Sequence, residues 1–352
     1  MPDESPLPTT TTTLSAGSTT TTTSASATTT TTIRVESGFT AYVTDLDNIS
    51  SIIPTGSISD NLIKVRSHLT ITSSISTVEV YAPMSAELDA IAYYVVRDDG
   101  VPDWALYFKV NDDFYYFFAH LIDVVPKIKA VAPGTPRDDS SSIQPTSPVS
   151  FVAGELIGSA EGSPFTKRFD FGAYDLTNTN AVANPERYYS DTPGNEPDKY
   201  LTGLNPYLCY PTEMKNAHVA LFATAMGVLV TTTECRGVSQ DVLGTASGYW
   251  YLDADTTAVY SSRLAIAEEL NGSVRWGGVG SSGSNGQYDA TVWYDYTPIS
   301  PARITTDESH CYESSSGYLY VKLFSTEALG VYFGTGSTPE SFPSSGYKTY
   351  VR

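Results

Sequence analysis

The chain has 352 residues, with 20 basic against 39 acidic side chains and a formal net charge of −19. Such a surface repels phosphate backbones and argues against nucleic-acid binding, and the bland reading of the charge is solubility. No apolar run approaches the roughly 20 residues that cross a bilayer as a helix, so no transmembrane segment is expected. Tyr (25) and Phe (13) are abundant beside plentiful Gly, Pro, Ser and Thr, a mix that favours strands and turns over helices.

Residues 1–32 are low-complexity, with five-residue Thr runs at 9–13, 19–23 and 28–32. A segment with almost nothing apolar to bury cannot offset its ordering entropy, and the composition reads as a solvated, Thr-rich disordered stalk. No charged region followed by an apolar one marks a signal peptide, so the expectation is a mature extracytoplasmic protein, secreted or anchored at the cell surface. From Ile33 short β-rich runs follow at Thr40–Val43, Leu62–Val65, Val78–Tyr81, Ile91–Val96, Trp104–Val110 and Phe114–Phe118. Asn111-Asp112-Asp113 between the last two predicts a β-hairpin. A Pro/Ser-rich loop spans Pro133 to Pro148, after which Phe151–Gly158 resumes the domain. In 179–220 five prolines interrupt the pattern, and Pro185–Tyr189 and Asp198–Leu204 could each start a short helix. Val219–Val230 fits a buried helix or a strand, and periodicity does not decide between them. Strands return at Tyr249–Leu252, Leu264–Ala267, Tyr288–Tyr294, Gly317–Phe324 and Gly330–Phe333.

The expected fold class is mostly β, with a β-sandwich-like first domain, a second β-rich domain and few short helices. The expected divisions are the stalk (1–32), a first β domain (33–178), a Pro-containing connection (179–220) and a C-terminal β-rich domain (221–352). Cys209, Cys235 and Cys311 lack CxxC spacing, so neither a zinc knuckle nor a redox pair is indicated, and their pairing is open. His310-Cys311-Tyr312-Glu313 precedes a strand and reads as one arm of a hairpin rather than a metal or nucleophile site.

Four segments between Tyr81 and Tyr174 stand in a telling order. They are Tyr81-Ala82-Pro83, then Tyr116-Phe117-Phe118-Ala119-His120-Leu121, Val152-Ala153-Gly154-Glu155-Leu156-Ile157-Gly158, and Phe169-Asp170-Phe171-Gly172. In that order they resemble the landmarks of lysostaphin-type zinc endopeptidases, as a degenerate domain within a prokaryotic surface protein. The resemblance covers a quarter to a third of the chain. It implies a hybrid-motif β fold, a groove facing cell-wall peptides, and a zinc held by His and Asp side chains.

The departures from that pattern bear on function. His120 matches the catalytic His of the family's Y-x-H-L strand, with Phe118 in place of the Tyr. Where the family has its last H-L-H, this chain reads Arg168-Phe169-Asp170, so Asp170 replaces a metal-binding His and Arg168 a catalytic one. His68 could match the first ligand, but the residue four later is Thr72 rather than Asp. The candidate metal set is thus only His68 and Asp170, short of the three protein ligands a catalytic zinc needs. No cofactor is therefore expected, although the resemblance itself implies zinc. His68, His120, Arg168 and Asp170 are the candidate groove residues, and His120 is the sole catalytic candidate. The function expected is non-catalytic binding of an envelope component, a glycan or peptide, or of another surface protein. The alternatives are a divergent zinc metallopeptidase acting on cell-wall peptides and a structural or self-assembling surface subunit.

Overall fold

The computed structural model describes residues 38–59, 62–95, 100–161, 167–185, 199–252, 263–278, 288–293, 299–314 and 317–352. The Thr-rich segment 1–32 and residues 186–189 of the expected Pro185–Tyr189 helix lie outside them. The fold is mostly β, as the composition predicts. Among the described residues no helix is long and apolar enough to cross a membrane.

The first half is built on one antiparallel sheet. Its strands are β1 (Ile49–Ile53), β4 (Ser67–Ile71), β6 (Ala86–Tyr94), β7 (Asp103–Lys109), β8 (Phe114–Leu121), β10 (Ser150–Phe151), β12 (Arg168–Asp175) and β13 (Gly203–Leu204). The spatial order is β1-β4-β12-β8-β7-β6-β10, with β13 also paired to β12. Between these strands in sequence, β2 (Ile58–Ser59) and β3 (Leu62–Ile63) form a small hairpin. A three-stranded sheet of β5 (Val78–Tyr81), β11 (Leu156–Ala160) and β9 (Asp123–Val124) completes this half. The expected turn at Asn111 joins β7 to β8, with Asn111 Oδ1 accepting from the Asp113 and Phe114 amides at 2.9 and 2.8 Å. This is the local Asx geometry that makes Asn a turn residue.

Strand alternation gives the large sheet two unlike faces. On one, Leu69, Phe171, Phe118, Tyr116, Leu106 and Phe108 are buried beneath Phe39 and Phe151. Their rings meet both edge-on, as for Phe108 and Phe151, and stacked, as for Phe118 and Phe171 with centroids 5.2 Å apart. Burying each such ring contributes about 1.5–3 kcal/mol, which makes this the first half's main store of stability. The Tyr116 hydroxyl is not stranded there, since it donates to the Met84 carbonyl at 3.0 Å. The opposite face carries the candidate site.

Thr40–Val43, expected as a strand, is an irregular, bent run outside any ladder. The Thr40 and Ala41 amides both donate to Pro83 O, and Pro83 has no N–H to return a bond. Val219–Val230 is neither a continuous helix nor a strand. A helix over Thr212–Val219 ends there, and the chain then turns at Gly227, whose φ is +77°. Asp198–Leu204 is split between a one-turn helix at Lys199–Thr202 and strand β13.

The second half is a single antiparallel sheet of β14 (Gly248–Tyr251), β15 (Arg263–Glu268), β16 (Val274–Gly278), β17 (Tyr288–Trp293), β18 (Ser309–Ser314), β19 (Gly317–Ser325), β20 (Ala328–Gly334) and β21 (Lys348–Val351). Its order is β17-β16-β15-β14-β21-β20-β19-β18. The β18–β19 pairing confirms the hairpin expected at His310–Glu313. One face of this sheet encloses Trp250, Ile266, Leu319, Val321, Leu329 and Tyr350. The other face receives the β2–β3 hairpin, with Ile58 and Ile63 packed on Tyr249, Tyr251, Ala265 and Ala267. Tyr249 Oη clips that contact by accepting from the Ile63 amide at 2.5 Å and donating to its carbonyl at 3.1 Å. Residues Val35–Arg352 accordingly cluster as one compact unit. Cys209, Cys235 and Cys311 are all free thiols.

Candidate functional site

The second face of the first sheet brings together three of the four residues singled out in the sequence. In the β4–β12 register His68 lies opposite Asp170, and in the β12–β8 register Asp170 lies opposite Ala119, next to His120. Asp170 is fully buried, and its Oδ1 is 2.6 Å from His68 Nδ1. Its Oδ2 is 2.5 Å from Arg66 Nε, an ion pair whose N–H is not aligned for a hydrogen bond, and 3.6 Å from His120 Nε2. His120 Nδ1 in turn lies 2.9 Å from Asp103 Oδ2 at the start of β7. Arg168 sits two residues before Asp170 on the same face, where its Nε donates to Thr70 Oγ1 at 3.2 Å.

Local devices aim these side chains. Between Arg66 and His68, Ser67 points to the opposite face. There its hydroxyl donates to Phe171 O at 2.8 Å and receives Tyr207 Oη at 2.9 Å. That relay fixes β4, so the residues flanking Ser67 are held toward the site.

His120 depends on a bulge. Trp104 pairs with Leu121 but Leu106 pairs with Phe118, so Ala119 and His120 together oppose one residue of β7. His120 adopts φ +63°, a left-handed conformation that costs a β-carbon-bearing residue about 1 kcal/mol. Without the extra residue, alternation would send His120 into the aromatic core beside Tyr116 and Phe118. With it, Leu121 is buried and His120 turns to the polar site.

The floor beside the cluster is aromatic and tightly stacked. Phe117 lies parallel to Tyr174 at 5.1 Å and to Tyr107 at 5.6 Å. It also covers Gly172, where a β-carbon would fall 2.0 Å from the ring. Glycine is required at this rung because the ring occupies the space of a side chain.

Protonation follows from this environment. Burial alone would raise the Asp170 pKa, but Arg66, His68 and His120 together hold it far below the ordinary carboxylate range. For His68 burial prevails over the attraction of Asp170, so its pKa falls and the neutral ring is favoured. For His120 burial is outweighed by Asp170 and Asp103, so its pKa rises. The same partner logic keeps Arg66 firmly charged against the cost of its burial. Two anions and one permanent cation thus share the site with one histidine of each tendency.

Sequence reasoning placed His68, His120 and Asp170 but missed Arg66 and Asp103. The Arg66-Ser67-His68 spacing carries the period of two that puts both outer residues on one strand face, and that signal was available. Asp103 had none, because its partnership with His120 depends on the bulge.

Zinc chemistry needs three protein ligands around one open point. Here the Asp170 oxygen that faces His120 is in contact with a guanidinium, and a metal there would sit against a fixed positive charge. His68 Nε2 is buried without a partner, the single feature suited to a metal. Among the described residues no three His, Cys, Asp or Glu side chains are grouped to hold one. The donor set does not fit a zinc centre.

Comparison with known proteins is sparse. A solved structure similar to this chain is the NMR solution structure of lysostaphin, at 12% identity and a TM-score of 0.27, covering 87% of this chain and 88% of that one. No family model matches the sequence, and no curated protein does. A TM-score of this size does not establish a shared fold, so the chemistry of the site rests on its own geometry.

Proposed function

We propose that this chain is a non-catalytic extracytoplasmic surface protein that binds an envelope glycan or peptide across the sheet face bearing Arg66, His68, His120 and Asp170. The observation that carries the reading is the state of Asp170. The residue standing where the resembling family has a metal-binding His is a buried carboxylate already paired with the Arg66 guanidinium and hydrogen-bonded to His68. A hydrolytic centre needs an unsatisfied metal or base facing the scissile bond, whereas here Arg66 and His68 occupy the Asp170 carboxylate and Asp103 holds His120 Nδ1. No zinc is held in this reading.

The Thr-rich composition of residues 1–32 supports the extracytoplasmic placement. The division proposed is a ligand-binding part at 33–178, a connection at 179–220, and a β-rich part at 221–352 that braces the first through Tyr249.

The test is co-sedimentation of the full chain with insoluble envelope material, including purified peptidoglycan, with and without a zinc chelator. Saturable retention that ignores the chelator, with no soluble fragments released, is the expected outcome. Chelator-sensitive release of fragments would replace the proposal with the metallopeptidase alternative. Absence of retention would remove the binding function.

A further inference from the structure

The carboxylates on this face are turned inward, but two nitrogen-bearing side chains, Arg66 and His120, are not enclosed. Arg66 commits Nε to Asp170 and leaves its side chain 30% exposed. Among the described residues the ion pair with Asp170 is the one polar contact of its guanidinium, so both Nη nitrogens are unengaged. His120 commits Nδ1 to Asp103 and is 33% exposed, and the nearest acceptor to its Nε2 is Asp170 Oδ2 at 3.6 Å, beyond hydrogen-bond length. The anions lie underneath, with Asp170 0% and Asp103 1% exposed. An approaching ligand therefore meets N–H donors first and carboxylates only behind them.

We propose that Arg66 and His120 form a receptor for a carboxylate, carried on the free end of a peptide or on an acidic sugar. The inference rests on the binding function proposed above and names the chemistry of its ligand. The Nη edge of a guanidinium presents two parallel donors at the spacing of two carboxylate oxygens, a match that an ammonium lacks. The ion pair with Asp170 tethers that fork from below, so less side-chain freedom is lost on binding than for a loose surface arginine. In its protonated form His120, anchored through Nδ1 on Asp103, offers Nε2 as a further donor beside it. The buried stack of Tyr107, Phe117 and Tyr174 walls the site on one side and lowers the local dielectric.

The net charge of −19 opposes any anion at long range. At physiological salt that field is screened within about 8 Å, whereas the donors act at contact distance. The acidic surface therefore slows arrival more than it weakens the bound state.

Calorimetric titration of the full chain with two matched pairs tests this. One pair is an N-acetylated dipeptide with a free carboxylate and its C-terminal amide. The other is a uronic acid and its neutral parent sugar. The expected result is binding of the charged member about tenfold or more tighter in one pair, which identifies the source of the carboxylate. The preference should vanish in the double variant Arg66→Gln/Asp170→Asn, which removes the ion pair without leaving a buried charge. Circular dichroism confirms that the variant is folded, and the wild-type comparison stands without it. Equal affinity within both pairs overturns the proposal, as does a preference that survives in the folded double variant. Envelope retention without carboxylate preference defeats this inference alone, and carboxylate preference without retention defeats the envelope reading alone.

Discussion

Asp170→Asn is the substitution that reads the site most sharply. Asn keeps the size of the side chain and can still accept from His68 Nδ1, so the change removes charge with little change in packing. What it leaves behind is Arg66 without its counter-ion, beside a His120 that has lost one of its two carboxylates. Breaking a buried ion pair from one side costs about 3–5 kcal/mol. Arg66 is 30% exposed and recovers part of its hydration, which brings the expected loss to about 2–3 kcal/mol. Urea denaturation followed by tryptophan fluorescence should show that loss near pH 7 as a lower midpoint at unchanged slope.

The pH dependence supplies an internal control. Because the folded-state pKa of Asp170 is depressed, its contribution is fully present above the ordinary carboxylate value of 3.8 and is lost as the pH falls below it. The gap between wild type and variant should therefore close under acid conditions. A loss below about 0.5 kcal/mol at pH 7, the size of an ordinary surface substitution, would refute the reasoning.

Three other outcomes follow from the same geometry. His120→Gly should be more stable than His120→Ala by about 1 kcal/mol, since both lose the imidazole and only Gly is at ease at φ +63°; equal stabilities would mean that residue 120 is not left-handed. Gly172→Ala should destabilise by about 1–3 kcal/mol because its methyl meets a Phe117 ring wedged between Tyr107 and Tyr174, and a neutral effect would show that the stack yields. In a proton NMR titration His120 should titrate above the ordinary histidine value of 6.5 and His68 below it. His120 then contributes stability below 6.5 that is lost as the pH rises through its folded-state pKa, while His68 withdraws stability as the pH falls below 6.5. A reversed order would contradict the assigned burial and partners.

How far the sequence reveals this arrangement depends on the range of each interaction. The β7–β8 hairpin is legible because Asn111 and two alternating aromatic runs act locally. The convergence of His68, His120 and Asp170 is legible only through the resemblance of motifs, since the three lie on strands far apart in the chain. The Arg66–Asp170 ion pair spans more than a hundred residues, and the β4–β12 register that brings the two together is decided by packing on both faces. The bulge is harder still. Simple alternation assigns His120 to the core face, and one inserted residue reverses that assignment and brings in Asp103. The short helix at Thr212–Val219 escapes notice for a different reason, since a two-turn element among prolines carries little periodicity.

A guanidinium stands at Asp170 where a metal would be needed for hydrolysis. Titrating Zn²⁺ into chelator-treated protein, while following the His68 and His120 ring resonances, tests this arrangement directly. Neither ring should respond to one equivalent of zinc. Stoichiometric binding that shifts both rings would contradict it, because Arg66 would then have to leave Asp170 and open a metal centre on this face.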